Sequence, residues 1–365
     1  MDTSDQSISF NSEGICSHCI DYGNSIRPKY YNQIKNKKKF ERLISSIKSS
    51  SSNKEYDSVI GLSGGLDSSY LVYTAKKLGL NPLIFHADTG WNSRISSSNI
   101  EKIVNSLNFD LYTYVIDWSE MKDLQLSFFK SGVPHIDAPQ DHAIFASLYK
   151  HAKNFGIKYI LTGANYASEG INSPINWMYY QSDDIQLKDI QNKFGNLKLK
   201  NFPITSPIFN KFLMPYVYGI KTIRLLDFIE YEKESAENEL TKNLNWTAYE
   251  EKHYESRFTK FYESYWLYER FKIDLRKIKF SNLILSKQMK REDALKKLRQ
   301  KPYNKNSIEE DKIFISNKLG ITKEKLNEYF NMPLKSFRNY KSRYFSYYIG
   351  ARLYKYLGKE LSLKR

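Results

Sequence analysis

One stretch constrains the fold of this chain more than any other. An apolar run at positions 57–62 leads into a loop, residues 63–68, that reads Ser-Gly-Gly-Leu-Asp-Ser, and a helical pattern follows. Gly64 and Gly65 carry no side chain that would block a ligand, so successive backbone amides can converge on phosphate oxygens at the start of the helix. The stretch therefore predicts a strand, a pyrophosphate-binding loop and a helix.

The polar side chains of this loop also suit a phosphate site. Ser63 and Ser68 can donate hydroxyl groups, and Asp67 is explained if it binds Mg²⁺ beside the phosphate or orients the loop. The loop lacks the Gly-Lys-Ser/Thr ending of a Walker A motif, which argues against γ-phosphoryl transfer of the usual kind. The alternative is a glycine-rich turn without a ligand, and the strand-loop-helix context disfavours it.

The segments after the loop predict an open parallel sheet. Short apolar or β-rich runs occur at 83–86, 111–116 and 159–162, and the segment between each run and the next is long enough for a crossover helix. The predicted fold class is therefore α/β, with helices on both faces of the sheet and a mainly helical C-terminal region. Such a sheet binds its ligand beyond the carboxyl ends of its strands.

Polar residues follow each predicted strand, where that ligand would lie. Asp88 is a candidate for adenosine or metal contact, and Asp117 follows the third strand. After the fourth strand, Gly163 and Asn165 are candidates for ATP binding, and Glu169 for binding Mg²⁺. For each of these residues the alternative is a loop residue that caps the next helix.

Length and charge bound the class of protein. At 365 residues the chain can form a sheet core and a second lobe. It has no apolar run long enough to span a bilayer and no signal-peptide pattern, so we expect a cytoplasmic enzyme. The net charge of +16 would attract polyanions such as RNA, nucleotide sugars or ATP, although a general bias towards Lys, Asn, Ile and Tyr explains it equally well.

Several segments beyond the loop carry a resemblance to a known family. The loop resembles that of the PP-loop ATP pyrophosphatases, whose fold is adenine nucleotide alpha-hydrolase-like, and the chain is similar to the N-acetyl sugar amidotransferases of surface-polysaccharide biosynthesis. The likeness covers most of the chain, whereas residues after about 301 match no family that we could assign. It is carried by residues 89–92, 115–125, 138–143, 157–163, 252–260, 264–266, 281–285 and 289–295.

The resemblance implies a reaction. Such an enzyme uses ATP and Mg²⁺ to adenylate the amide oxygen of an acetamido group on a nucleotide-activated sugar, and ammonia then displaces AMP to leave an acetamidino group. The sequence shows no N-terminal cysteine nucleophile and no glutaminase domain. Ammonia is therefore expected from solution or from a separate subunit similar to the glutaminase of imidazole glycerol phosphate synthase (HisH-like), often accompanied by a cyclase-type barrel protein (HisF-like).

The two cysteines, Cys16 and Cys19, form half of a metal site at best. Two thiols cannot make a four-cysteine zinc site within one chain, and no preceding strand supports a dithiol redox motif. In the family an earlier Cys-x-x-Cys pair precedes the stretch that here occupies positions 1–5, and the two pairs resemble a zinc knuckle. We expect a missing upstream segment, and no tightly bound zinc in the chain as given.

A proline-marked helix start provides one set of site candidates. Asp137, Gln140 and Asp141 are candidates for substrate binding, and Pro139 suits a first helical turn. Capping alone would explain Asp137. His142 is a candidate catalytic residue that would deprotonate ammonium or hold the sugar, and a structural histidine is the alternative.

A dense polar cluster provides a second set. Lys252 and Arg257 are catalytic candidates, because cations placed there would stabilise charge on the pyrophosphate leaving group. His253 and Glu255 are candidates for substrate binding. A solvated charge run is the alternative for all four.

The C-terminal region is predicted to be helical. Ser307 begins a capping-box pattern, Gly320 is a plausible helix stop, and a second helix is expected over 322–330. The predicted domains are an N-terminal segment at 1–50, a PP-loop catalytic domain at 51–250 and a helical region at 251–365 that completes the active site.

Two other functions stay open. A tRNA-modifying PP-loop enzyme that adenylates a base carbonyl would explain the positive charge, but no RNA-binding module is recognisable and no further cysteine is available for thiolation. A nucleotide-binding subunit without catalysis is the third possibility. Against it, Ser63, Asp67, Asn165 and Glu169 are all present. The sequence thus favours a nucleotide sugar over nucleic acid as the partner.

Overall fold

The computed structural model describes residues 1–51, 55–250 and 252–349. One sheet lies at its centre, with strand order β3-β2-β1-β4-β5 and parallel pairing throughout. The chain adds β2 and β3 on one side of β1 and then adds β4 and β5 on the other side. β1 and β4 therefore flank the switch point where such sheets bind ligands. The predicted α/β class is confirmed. The strands are β1 (Ser58–Gly61), β2 (Pro82–Asp88), β3 (Leu111–Val115), β4 (Tyr159–Thr162) and β5 (Lys221–Arg224).

Helices occupy most of the remaining described chain. The α-helices are α1 (Ser17–Asp21), α2 (Arg27–Lys35), α3 (Lys37–Ser49), α4 (Leu66–Lys77), α5 (Arg94–Leu107), α6 (Trp118–Ser131), α7 (Ala138–Asn154), α8 (Tyr166–Glu169), α9 (Asp184–Phe194), α10 (Lys233–Leu244), α11 (Arg257–Phe261), α12 (Arg276–Leu285), α13 (Arg291–Leu298), α14 (Lys305–Leu319) and α15 (Lys323–Asn331). Tyr22–Ile26, Phe209–Val217 and Tyr262–Arg270 are π-helical, and Leu225–Phe228 and Phe337–Asn339 are 3₁₀-helical. Within the described ranges, none of these helices has the length and apolar character needed to cross a membrane.

The central strand contributes to a core on each face of the sheet. Successive side chains of a strand point to opposite faces. Ile60 packs in a cluster with Leu71 of α4 and Leu240 of α10. Val59 packs in a second cluster with Leu148 of α7. Helices therefore cover both faces, as the sequence predicts, and this packing fixes the carboxyl end of β1 in place.

A third core joins the C-terminal helices to the rest of the chain. It contains Phe129 of α6 and Ile190 of α9 together with Phe258 of α11, Leu319 of α14 and Tyr329 of α15. Burying a side chain such as Phe129 or Phe258 stabilises a fold by about 1.5–3 kcal/mol. This core takes residues from both sides of the domain boundary predicted at residue 250, so the two segments are coupled by packing. The boundary itself stays a prediction.

The caps of two C-terminal helices correct one expectation and agree with two others. The side chain of Asn304 caps α14 by accepting from the amides of Asn306 and Ser307, so Ser307 lies within the first turn and is not the cap. Gly320 ends this helix in the left-handed conformation, with φ of +62°. The side chain of Thr322 caps α15.

Candidate active site

The loop between β1 and α4, residues 63–68, is called the phosphate loop below. Gly64 has φ of +79°, and a Cβ on it would lie 2.6 Å from the carbonyl oxygen of Ser96, so only glycine fits this position. The hydroxyl oxygens of Ser63 and Ser68 lie 3.1 Å apart, and the amide of Gly65 donates to the Ser63 hydroxyl at 3.3 Å. The loop is thus a tight turn whose polar groups converge at the start of α4.

The end of β4 packs directly against this loop. A Cβ on Gly163 would lie 2.8 Å from the carbonyl carbon of Asp67, so this glycine allows the two strand ends to approach. The side chain of Asn165 caps α8 by accepting from the amide of Ser168 at 2.8 Å, and its Nδ2 donates to Asp67 Oδ1 at 3.4 Å. Asn165 therefore lies at the loop, as predicted, and also acts as a helix cap.

Lys252 joins two carboxylates that come from different strand ends. Its Nζ lies 2.8 Å from Asp67 Oδ2 and 2.6 Å from Glu169 Oε1. Burial would raise the pKa of Glu169, but the charge of Lys252 lowers it to about 2. Burial would lower the pKa of Lys252, but the two carboxylates raise it, so the ammonium stays charged. The structure thus brings together three residues that were predicted independently.

The carboxylate pair, Asp67 and Glu169, also bears on metal binding. Within the described ranges, no group of three or more His, Cys, Asp or Glu side chains is arranged to hold a metal ion. Mg²⁺ commonly takes one or two protein carboxylates and completes its coordination with phosphate oxygens and water. Asp67 and Glu169 supply two carboxylates that already share one cation, the Lys252 ammonium, and they fit this requirement.

Three aromatic residues that sequence reasoning missed enclose the phosphate loop. The hydroxyl of Tyr231 donates to Asp67 Oδ1. Burial and the negative charge of Asp67 raise the pKa of this phenol. The indole of Trp246 and the hydroxyl of Tyr249 donate to the carbonyl of Gly64 at 3.1 and 3.2 Å. The chain contains 29 tyrosines, and no local pattern distinguishes those that reach the loop.

Glu255 lies against the phosphate loop as well. Its Oε1 accepts a hydrogen bond from the Ser63 hydroxyl at 3.2 Å. A Cβ on Gly65 would lie 2.7 Å from the same oxygen, so the carboxylate rests directly on the glycine backbone. The main chain of Glu255 is held by Ser93, whose amide donates to the Glu255 carbonyl at 2.8 Å.

A buried hydrogen-bond network, called the Gln140 network below, joins α7 to α11 and to the end of β2. The Gln140 amide donates to Asp137 at 2.9 Å and to the Thr259 hydroxyl at 2.8 Å, and it accepts from Thr89 and Ser256 at 2.7 and 3.1 Å. The Thr259 hydroxyl in turn donates to Asp137 at 2.7 Å. Asp137 makes no side-chain cap of α7, so the capping explanation does not hold. Burial, followed by the nearby charge of Asp141, raises its pKa well above the ordinary range.

Two predicted catalytic residues make their contacts elsewhere. His142 is buried, with Nδ1 2.6 Å from the carbonyl of Gln181, while Nε2 accepts from the amide of Thr205 at 3.1 Å. Burial lowers its pKa, which favours a neutral ring that joins two main-chain segments. Arg257 donates to Asp311 at 2.6 Å and lies 4.1 Å from the ring of Phe314. The contacts of Arg257 connect α11 to α14. None of the contacts above links His142 or Arg257 to the phosphate loop.

The remaining candidates sit in local pairs. Asp88 accepts from the amide of Gly90 at 2.8 Å, which forms a turn after β2. Asp141 lies 3.5 Å from Nε2 of the buried His135, and His253 Nδ1 lies 2.8 Å from Glu263. Asp117 caps α6 through the amides of Ser119 and Glu120, and it also accepts from Asn201 Nδ2 at 3.3 Å.

The N-terminal cysteines face each other. The sulfur atoms of Cys16 and Cys19 lie 3.4 Å apart, and Cys16 is buried. His18 Nε2 lies 2.7 Å from Asp5 Oδ2, so this ring nitrogen is paired with a carboxylate and not with the thiols. The interpretation of the pair as half of a metal site stays a prediction.

Comparison with known proteins finds a family similar to the C-terminal region. Residues 255–354 match the family described as LPS biosynthesis protein WbpG-like, C-terminal domain. The expectation that residues after about 301 match no family is therefore wrong, whereas the predicted resemblance to proteins of surface-polysaccharide biosynthesis is confirmed for this segment. The chain is also similar to NMN synthetase from Francisella tularensis, with 15% identity over 58% of this chain and 97% of that one, at a TM-score of 0.29. No curated protein matches the chain.

Proposed function

We propose that this chain is an ATP-dependent amidotransferase of lipopolysaccharide O-antigen biosynthesis. It converts an acetamido group of a nucleotide-activated sugar into an acetamidino group and forms AMP and pyrophosphate. The observation that carries the proposal is the convergence of the phosphate loop, the carboxylate pair and Lys252 at the switch point between β1 and β4. The likeness of residues 255–354 to an LPS biosynthesis family supports the choice of a sugar substrate.

The loop would bind the diphosphate end of ATP. Amides at the N-terminus of α4 and the hydroxyls of Ser63 and Ser68 are donors suited to phosphate oxygens. Asp67 and Glu169 would hold Mg²⁺, which when bound supplies positive charge to the diphosphate oxygens. Tyr231 fixes one oxygen of Asp67, so the other faces Lys252.

The reaction would proceed in two displacements. The amide oxygen of the sugar attacks the α-phosphorus, and the bond from that phosphorus to the pyrophosphate oxygen breaks. Ammonia then attacks the activated carbon, the bond from that carbon to the AMP oxygen breaks, and the nitrogen loses its extra proton to give the amidine. Lys252 would supply a positive charge beside the departing pyrophosphate, which is electrostatic stabilisation of the leaving group.

Ammonia would come from a separate glutaminase subunit. An RNA base carbonyl in place of the sugar amide would use the same loop. Only the net charge of +16 favours that alternative, and charge does not distinguish RNA from a nucleotide sugar.

Product analysis tests the proposal. The purified protein is incubated with ATP, Mg²⁺, excess ammonium and a panel of UDP-linked diacetamido sugars, and in parallel with unmodified tRNA. We expect AMP and pyrophosphate in phosphorus NMR only with one sugar, together with the mass change that replacement of oxygen by NH produces. Formation of ADP and phosphate would contradict adenylation, and turnover with tRNA alone would replace the sugar with RNA as substrate.

A further inference from the structure

A short turn, residues 252–255, presents one cation and one anion to the proposed ATP site. The Lys252 ammonium lies between the two carboxylates of the pair, at 2.8 and 2.6 Å. The Glu255 carboxylate accepts from Ser63 at 3.2 Å and rests on Gly65. We call residues 252–255 the stand-in turn.

The charges of this turn match the site in both sign and place. The phosphate loop offers amide and hydroxyl donors at a helix N-terminus, which favour an anion, and Glu255 supplies one. The carboxylate pair favours a cation, and Lys252 supplies one. A diphosphate complexed with Mg²⁺ carries the same two charges, with anionic oxygens for the loop and a metal for the carboxylates.

We propose that the stand-in turn is an internal mimic of a magnesium-complexed diphosphate, and that this ligand displaces both the Glu255 and the Lys252 side chains when it binds. The inference rests on the proposed function, since the ligand is the diphosphate end of ATP. It assigns the Glu255 carboxylate to a phosphate subsite and the Lys252 ammonium to the cation subsite.

The backbone of the turn is anchored, so the exchange involves side chains. Lys279 donates to the carbonyl of Lys252 at 3.0 Å, and the amide of Ser93 donates to the carbonyl of Glu255 at 2.8 Å. His253, with φ of +72°, adopts the left-handed conformation between them, and its ring bonds Glu263 at 2.8 Å. Rotation of the two charged side chains therefore clears the site without unfolding the turn.

This exchange gives Lys252 a role that depends on the ligand. Without the diphosphate, its charge is neutralised by Asp67 and Glu169. With Mg²⁺ held by the two carboxylates, the ammonium would lie beside the diphosphate, where it would stabilise the leaving group. Glu255 must leave the loop in the same event, because two anions cannot share the same donors without repulsion.

Binding of inorganic pyrophosphate tests the phosphate half of the proposal. Calorimetric titration with pyrophosphate and Mg²⁺ is carried out on the wild-type chain, on Glu255→Gln, and on the exposed Glu250→Gln as a control for net charge. We expect Glu255→Gln to bind pyrophosphate several-fold more tightly than wild type, and Glu250→Gln to match wild type. Equal binding by Glu255→Gln would mean that Glu255 does not compete with the ligand, and weaker binding would mean that it helps to bind the ligand. Either result would overturn the proposal.

Thermal unfolding of Lys252→Met tests the cation half. Removing the ammonium leaves two carboxylates facing each other, so we expect a lower Tm without metal and a larger increase in Tm on adding Mg²⁺ than in wild type. An increase no larger than that of wild type would refute the cation subsite.

Neither measurement contains sugar or ammonia. If no acetamido sugar reacts while both variants behave as expected, the proposed reaction fails and the internal mimic stands. If a sugar reacts and Glu255→Gln binds pyrophosphate no more tightly than wild type, the reaction stands and the mimic fails.

Discussion

The carboxylate pair with Lys252 and the Gln140 network are both polar clusters near the strand ends, but they are built differently. In the first, the side chains carry charge and stay partly exposed, at 16% for Asp67, 38% for Glu169 and 24% for Lys252. In the second, Asp137 is 2% and Gln140 3% exposed, and each of their side-chain oxygen and nitrogen atoms has a partner within the chain.

The difference separates a ligand site from a scaffold. Charges that are held by other charges at the surface can be exchanged for those of a ligand, since the ligand restores what it replaces. A sealed network of satisfied groups offers nothing to a ligand, and breaking it costs stability. We therefore propose ATP binding for the phosphate loop and a positioning role for the Gln140 network.

The largest expected effect is on turnover. Asp67→Asn keeps the size of the side chain but removes a charge from the proposed metal and phosphate site, so we expect the protein to stay folded and AMP formation to fall by about 10²–10³-fold or more. Circular dichroism checks the fold, and AMP release checks the rate. Full activity in this variant would show that turnover does not need the charge of the carboxylate pair.

A backbone change should come next in size. Gly64→Ala forces a left-handed residue and places a Cβ 2.6 Å from the Ser96 carbonyl, so we expect a loss of about 2 kcal/mol or more in the free energy of unfolding. Gly61→Ala is the matched control, since its Cβ would meet only a methyl group of Leu148 at 3.4 Å. Denaturant unfolding compares the two variants, and equal losses would contradict the tight turn.

The scaffold is tested by Gln140→Ala. This substitution leaves Asp137, Thr89 and Ser256 each without one hydrogen-bond partner in a buried place, so we expect a loss of about 1–3 kcal/mol in stability. Pyrophosphate affinity should stay close to that of wild type. A loss of affinity without a loss of stability would mean that Gln140 binds the ligand, which would contradict its role as part of a scaffold.

The smallest effect is on the pH dependence of stability, where two buried carboxyls should act in opposite directions. Burial and Asp141 raise the pKa of Asp137 in the folded protein, so its contribution is present below its unfolded pKa and is lost as pH rises. Burial would raise the pKa of Glu263, but Lys279 and His253 lower it to about 2, so its contribution is present above its unfolded pKa and is lost as pH falls.

Denaturant midpoints measured from acid to neutral pH check this pair. For Asp137→Asn, we expect the loss of stability relative to wild type to be smaller at neutral pH than at acid pH. For Glu263→Gln, we expect this loss to be larger at neutral pH than at acid pH. Parallel pH profiles for the two variants would contradict these assignments.

The sequence predicted the parts of the site that local patterns encode. Four strands are marked by apolar runs, and Asp67, Asn165 and Glu169 follow two of them directly, so the parallel sheet brings these three residues together. The short strand β5 was not predicted, because its sequence Lys-Thr-Ile-Arg has no apolar run and its residues are exposed or half-buried.

Long-range contacts explain the rest. Tyr231 reaches Asp67 across 164 positions, and Trp246 reaches Gly64 across 182. Arg257 was predicted near the diphosphate, but Asp311, 54 residues further along, pairs with it. Tyr231 and Trp246 flank α10 and pack in the cluster of Ile60, whereas Asp311 lies on α14. Packing of distant segments selects these partners, and a single sequence does not encode it in any local pattern.

The most direct test of the central claim follows one oxygen atom. A UDP-linked acetamido sugar that the enzyme accepts is prepared with ¹⁸O in the acetamido carbonyl and incubated with ATP, Mg²⁺ and ammonium. If the amide oxygen attacks the α-phosphorus, the label appears in the phosphate of AMP, where mass spectrometry detects it. Unlabelled AMP, with the label retained in the sugar or released to water, would contradict adenylation at this site.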